Sequence, residues 1–234
     1  MMTVTTQNAG QASDGRRASL RDLTCVELNS RNRRLLDFAH NRSGGSPAWR
    51  GRKEAEAREL LALSQIAPPG RLTVQLLRLE ESVRALLVMR VPVPCLPDSN
   101  NHLRIANQAV LGLTYPEEAL RQRLPGVAFF QLLEPQGAWH ASIDPVFQRI
   151  CLGASIPANT PVRNLVTMAF GALCMQTAQV DELDPAGVLN ADAARWWQQN
   201  LHLAPLTKTP FLVDEPSGSV MKEAKSHVEQ PEIP

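Results

Sequence analysis

Three residue types able to do chemistry fall in one aperiodic stretch, 136–160 (QGAWHASIDPVFQRICLGASIPANT): His140, Asp144 and Cys151, with Trp139 beside the histidine. An irregular segment of that length inside a compact domain is more often functional than incidental. A cysteine there is partly accessible, and its thiolate is a nucleophile whose reactivity follows local charge and access. Arg149, two residues earlier, brings a cation close to it. Read alone, Cys151 is most simply a small buried hydrophobe, and His140 a structural residue. The other cysteines, Cys25, Cys95 and Cys174, are scattered with no Cys-x-x-Cys pair, so neither a zinc site nor a disulfide framework is expected. Cys174 falls on an apolar stripe and reads as core, and Cys95, among prolines, as loop. No metal or cofactor is implied.

The elements that must position this stretch are legible on both sides. Residues 1–17 are polar and read as a disordered arm. Leu20, Leu23, Val26, Leu35, Leu36 and Phe38 fit one or two helices over 19–41, interrupted near Asn29 to Asn32, and 18–50 reads as a helical N-terminal extension. A strong helix is expected over Gly51 to Ile66, closed by Pro68-Pro69-Gly70. The runs RLTVQLLRLE, VRALLVMRVPV, NQAVLGLTY and GVAFFQLLE then read as four strands. Their connections are too short for crossover helices, which predicts an antiparallel meander with helices covering one face. Further helices are expected over Pro161 to Gln179 and Asn190 to Leu201. The fold class is α+β, with the main domain over 51–205 and a flexible tail over 206–234.

Composition narrows the function. Lys+Arg number 24 and Asp+Glu 23, a net charge of +1, which gives no cationic field for a nucleic-acid backbone. RNRR at Arg31 to Arg34 and RGRK at Arg50 to Lys53 read as solvated faces. No apolar run approaches the roughly 18 residues of a membrane span, and the N-terminus lacks a secretory pattern, so neither nucleic acid nor membrane is an expected partner and the expected compartment is the cytoplasm.

From Leu113 onward, Leu-Thr-Tyr115-Pro116, the Pro-Gly-Val segment opening Pro125 to Phe130, His140, and Ile150-Cys151-Leu152-Gly153 together resemble the ubiquitin-conjugating enzyme family. In that family a Tyr-Pro turn leads into a strand, and a His-Pro-Asn tripeptide stands about ten residues before a thioester-forming Cys-Leu. Here His140 stands eleven residues before Cys151. Pro161 matches the proline opening the next helix, while Asp184-Pro185, Leu189-Asn190 and Ala193-Ala194 resemble the acidic loop and following helix. The resemblance covers roughly 85 to 140 of the 234 residues and is closest to divergent bacterial members of ubiquitin-like conjugation operons, some implicated in defence against phage.

The resemblance implies a four-stranded ubiquitin-conjugating-enzyme-like domain in which Cys151 accepts a ubiquitin-like protein from an activating enzyme and passes it to a protein substrate. His140 would hold the loop. The tripeptide is His140-Ala141-Ser142, so serine replaces the family's asparagine, and Asn159 stands near the position of a family tryptophan. Ser142, Asn159 or main-chain N–H groups would stabilise the oxyanion. Asp181, Glu182 or Asp184 would assist the attacking amine. Two alternatives stay open: a non-catalytic adapter of the same fold, and an unrelated Cys151–His140 hydrolase, which needs imidazole within reach of the sulfur.

Overall fold

A computed structural model describes residues 25–41, 45–97, 102–177, 181, 187–207 and 210–212. The N-terminal arm, most of the tail, and the candidates Glu182 and Asp184 lie outside the described residues. The architecture is α+β: helices α1 (Cys25–Asn41) and α2 (Pro47–Ile66), strands β1 (Leu72–Leu79), β2 (Ser82–Met89), β3 (Val93–Cys95), β4 (Arg104–Ala106), β5 (Ala109–Pro116), β6 (Phe130–Glu134) and β7 (Arg149–Ile150), then α3 (Val162–Leu173) and α4 (Ala191–Asn200).

The four expected runs do pair consecutively, as β1-β2-β5-β6, and every neighbouring pair is antiparallel. The count differs from four. β7 adds a fifth strand on the β6 edge through Phe130↔Ile150 and Gln131↔Arg149, and β3 with β4 forms a separate two-stranded sheet. The run expected to continue from 83 to 93 ends at Met89, and Val93–Cys95 leaves to pair with Arg104–Ala106, which puts Cys95 in a strand rather than a loop. Pro92 and Pro94 carry no N–H, so a central ladder cannot continue through them.

Alternation decides which face of the sheet is buried. Val83, Ala85, Leu87 and Met89 on β2 and Ala109, Leu111, Leu113 and Tyr115 on β5 are all buried. They meet Trp49, Ala57, Leu60 and Leu63 of α2 and Leu165, Val166, Ala169 and Leu173 of α3 in one core. Trp49 Nε1–H and Lys53 Nζ both donate to the Glu80 carbonyl, at 3.0 and 3.2 Å, fastening the β1–β2 turn to α2. Helix α2 begins four residues before the expected Gly51. Ser46 is its N-cap, accepting from Trp49 N–H at 3.3 Å, and Pro47 takes the first helical position, where a missing N–H is harmless.

The expected interruption near Asn29 to Asn32 is absent, and α1 runs unbroken across it. Asn32 is buried and faces β1: its Nδ2 donates to Val74 O at 3.1 Å, and its Oδ1 accepts from Leu76 N–H at 2.9 Å. One side-chain amide thus occupies the open edge of β1 as a neighbouring strand would. The asparagine that weakens the helical pattern is what docks the helix. Asn32→Ala is expected to lower the unfolding free energy by about 1–3 kcal/mol, since two buried main-chain groups lose their partner. Urea melts of both proteins check this, and an unchanged midpoint would remove the docking role.

Candidate functional site

Cys151 directly follows β7, and its place is set by main-chain bonds on both sides. Its N–H donates to Ser142 O at 2.8 Å, and its thiol points to Gly153 O at 3.5 Å. The residue is 8% exposed, so the sulfur sits at the boundary of the core. Beyond it, the chain runs beside 124–126. Gly126 N–H donates to Gly153 O and Leu152 N–H to Gly126 O, and Leu124 and Ile156 exchange a reciprocal pair at 3.2 and 2.8 Å. A Cβ on Gly126 would lie 2.1 Å from Gly153 O, so only glycine fits the approach. This corrects the expected strand start: Gly126–Ala128 is a 3-10 turn braced on the Cys151 loop, and β6 begins only at Phe130.

His140 is fully buried, and both ring nitrogens are committed to the main chain. Ser142 N–H donates to Nδ1 at 3.0 Å, so the ring proton lies on Nε2, which donates to Ala172 O at 2.7 Å. Burial pulls its pKa down to about 4, against the opposing influence of the Ala172 bond. The imidazole is therefore neutral at physiological pH. It offers no lone pair to the Cys151 thiol, which argues against the Cys151–His140 hydrolase. The surrounding segment is held just as firmly. Trp139 N–H donates to Pro94 O, Trp197 Nε1–H to Trp139 O, and the N–H groups of Leu189 and Asn190 both donate to Ala141 O. Asn190 also caps α4 by accepting from Ala193 N–H at 3.0 Å.

The expected site residues separate into two groups. His140, Ser142 and Cys151 form one hydrogen-bonded chain, in which buried Ser142 takes part through its main chain. Asn159 lies elsewhere. It is exposed, has a left-handed φ of 61°, and is tied through its N–H to Ala119 O at 2.7 Å and through its carbonyl to Arg52 Nη2 at 3.3 Å. Asp181 is exposed. Asp144 shapes a turn, its Oδ1 accepting from Val146 and Phe147 N–H at 2.8 and 2.7 Å.

Two positioning residues escape a reading of the sequence. Pro161 precedes α3 and has no side chain able to cap it, so Glu56 reaches from α2 to accept from Val162 N–H at 2.7 Å while paired with Arg52. Its negative charge also suits the helix N-terminus. Tyr115 Oη–H adds a bond to Thr160 O at 3.0 Å. The signal for Glu56 is its place among Trp49, Lys53, Ala57, Leu60 and Leu63 on the buried stripe of α2, where a carboxylate needs a partner. Gly126 carried no comparable signal.

Among the described residues no group of three or more His, Cys, Asp or Glu side chains is placed to hold a metal, and no helix is long and apolar enough to cross a membrane. No protein-family model, curated protein or solved structure matches the chain. The geometry itself offers one buried-edge thiol on a hydrogen-bonded loop, with both ring nitrogens of His140 engaged elsewhere.

Gly126→Ala should lower stability by about 2–4 kcal/mol and loosen the Cys151 loop. Faster alkylation of Cys151 by a maleimide, together with a lower urea midpoint, is the expected pair of results. The histidine sets a pH dependence of definite sign. Because its folded pKa lies below the unfolded value of 6.5, its contribution is complete above pH 6.5 and is lost as pH falls towards 4, for a total of about 3 kcal/mol. Comparing urea unfolding of the native protein and His140→Asn from pH 7.5 to 4 isolates it. The stability gap between the two should shrink on acidification, and a constant gap would contradict a buried neutral imidazole.

Proposed function

We propose that the protein carries a ubiquitin-like protein as a thioester on Cys151, in the manner of the ubiquitin-conjugating enzymes its sequence resembles, and transfers it to an amine of a target protein. The observation that carries the reading is the chain Ala172–His140–Ser142–Cys151, which holds the thiol beyond β7 on a loop anchored to α3. The antiparallel run β1-β2-β5-β6, with helices on one face, is the arrangement the resemblance implies and supports it further. A bacterial cytoplasmic setting, a conjugation operon and a part in anti-phage defence belong to the same reading and rest on the resemblance.

The chemistry needs no ATP site on this chain. Cys151 thiolate attacks the carbonyl carbon of the thioester presented by an activating enzyme. A new C–S bond forms, the old one breaks, and the departing sulfur leaves as thiolate to take up a proton. The exchange replaces one thioester by another of similar energy. A neutral amine then attacks the same carbon, C–N forms, C–S breaks, and the amine's surplus proton passes to a base while Cys151 is released. His140 supplies no proton transfer and acts by position. Ser142 and Cys151 hold the loop through main-chain bonds, oxyanion donors come from Ser142 or nearby N–H groups, and Asp181, Glu182 or Asp184 assists the amine. Asn159, tied to Ala119 and Arg52, is the weakest of the proposed oxyanion donors.

The adapter reading draws on one observation, the 8% exposure of Cys151, since a partner can be bound without reaching the sulfur. Incubation with ATP and the activating enzyme and ubiquitin-like protein of the same genome separates the two. An adduct on a non-reducing gel that thiol removes and Cys151→Ala abolishes is expected for a carrier, and a stable complex with no adduct would replace it with the adapter.

A further inference from the structure

Between His140 and Cys151 the chain forms a turn over 144–148 that is frozen in place and displays apolar side chains. Asp144 Oδ1 accepts from the N–H groups of Val146 and Phe147, Gln148 N–H closes onto Asp144 O at 2.9 Å, and Gln131 Nε2 donates to Phe147 O at 3.0 Å. Gln148 adopts a φ of 55°, and its Nε2 donates to Pro145 O at 3.0 Å. On this scaffold Val146 is 76% and Phe147 58% exposed, and the Arg149 guanidinium lies 5.3 Å from the Phe147 ring centroid. Arg149 makes no ion pair with a described carboxylate. Nothing in the turn's own hydrogen bonding calls for apolar residues at its tip, and a preorganised aromatic beside an arginine is what a contact surface presents.

We propose that this tip seats the folded body of the protein tethered to Cys151, at an apolar patch edged by carboxylates. The inference rests on the carrier reading. Size selects the occupant. Burying one valine and one phenylalanine supports a dissociation constant of roughly millimolar at best, too weak to recruit a free partner. A tethered partner is present at an effective concentration of about millimolar, which is enough to fill such a contact. Distance agrees: Phe147 is four residues from Cys151, so their Cα atoms are at most about 14 Å apart. Arg149, on the same edge, selects the carboxylate rim.

The test places the photoreactive residue p-benzoylphenylalanine at 146 or 147 of the full chain in host cells, with 206 as an equally exposed control because Leu206 is 61% exposed. Illumination should crosslink the tip, and not position 206, to the same protein that thiol releases from Cys151. The crosslink should vanish in Cys151→Ala and fall about tenfold relative to adduct in Arg149→Glu. A crosslink that survives Cys151→Ala, or a normal adduct with no crosslink from either tip position, overturns the inference and leaves the carrier reading standing. Absence of any thiol-labile adduct overturns the carrier reading and the inference with it.

Discussion

The site depends on a neutral imidazole bonded at both ends. Only an uncharged histidine accepts at one ring nitrogen while donating at the other, and His140 does both, from Ser142 N–H and to Ala172 O. Desolvation keeps it uncharged, so the burial that fills the core also enforces the hydrogen-bond pattern. Ser142 then passes the constraint to Cys151 through its carbonyl. The thiol is therefore indexed to α3, and the placement of α3 matters as much as that of the loop. Glu56 fixes the N-terminal end of that helix at Val162, and His140 meets it near the C-terminal end at Ala172.

Around this axis, each contact that defines the loop has a main-chain group on at least one side. Leu189 and Asn190 hold Ala141, Trp197 holds Trp139, and Gly126 holds Leu152 and Gly153. Side chains enter mainly as clamps on carbonyls and N–H groups. The shape of the loop is independent of the Ser142 side chain, because the bonds Ser142 makes here are main-chain bonds.

The long periodic elements were legible. The helix closed by Pro68-Pro69-Gly70, the four apolar runs that pair as β1-β2-β5-β6, and the apolar stripe of α3 each follow from residue order alone. What the residues concealed is of three physical kinds. β3, β4 and β7 are two or three residues long, too short to express a period. Asn32 looks like a helix breaker because its partners on β1 are some forty residues away, and Glu56 looks like a surface charge because its partner Val162 is over a hundred away. Gly126 is dictated by the close approach of another segment of backbone, which no local pattern announces. Of the residues singled out in the sequence, Cys151, His140 and Ser142 lie on one hydrogen-bonded chain, whereas the separate place of Asn159 and the turn made by Asp144 required the fold.

In the proposed function Cys151 forms an acyl bond to the C-terminus of another protein. Replacing the sulfur by oxygen tests it chemically, because Cys151→Ser exchanges a thioester for an oxyester without altering the main-chain bonds that hold the residue. Intact mass measurement of that variant purified from host cells should find an added protein of defined mass that resists thiol and is released by mild alkali. Quantitative recovery of the unmodified variant, alongside a native protein that likewise never carries a thiol-labile partner, would contradict the account.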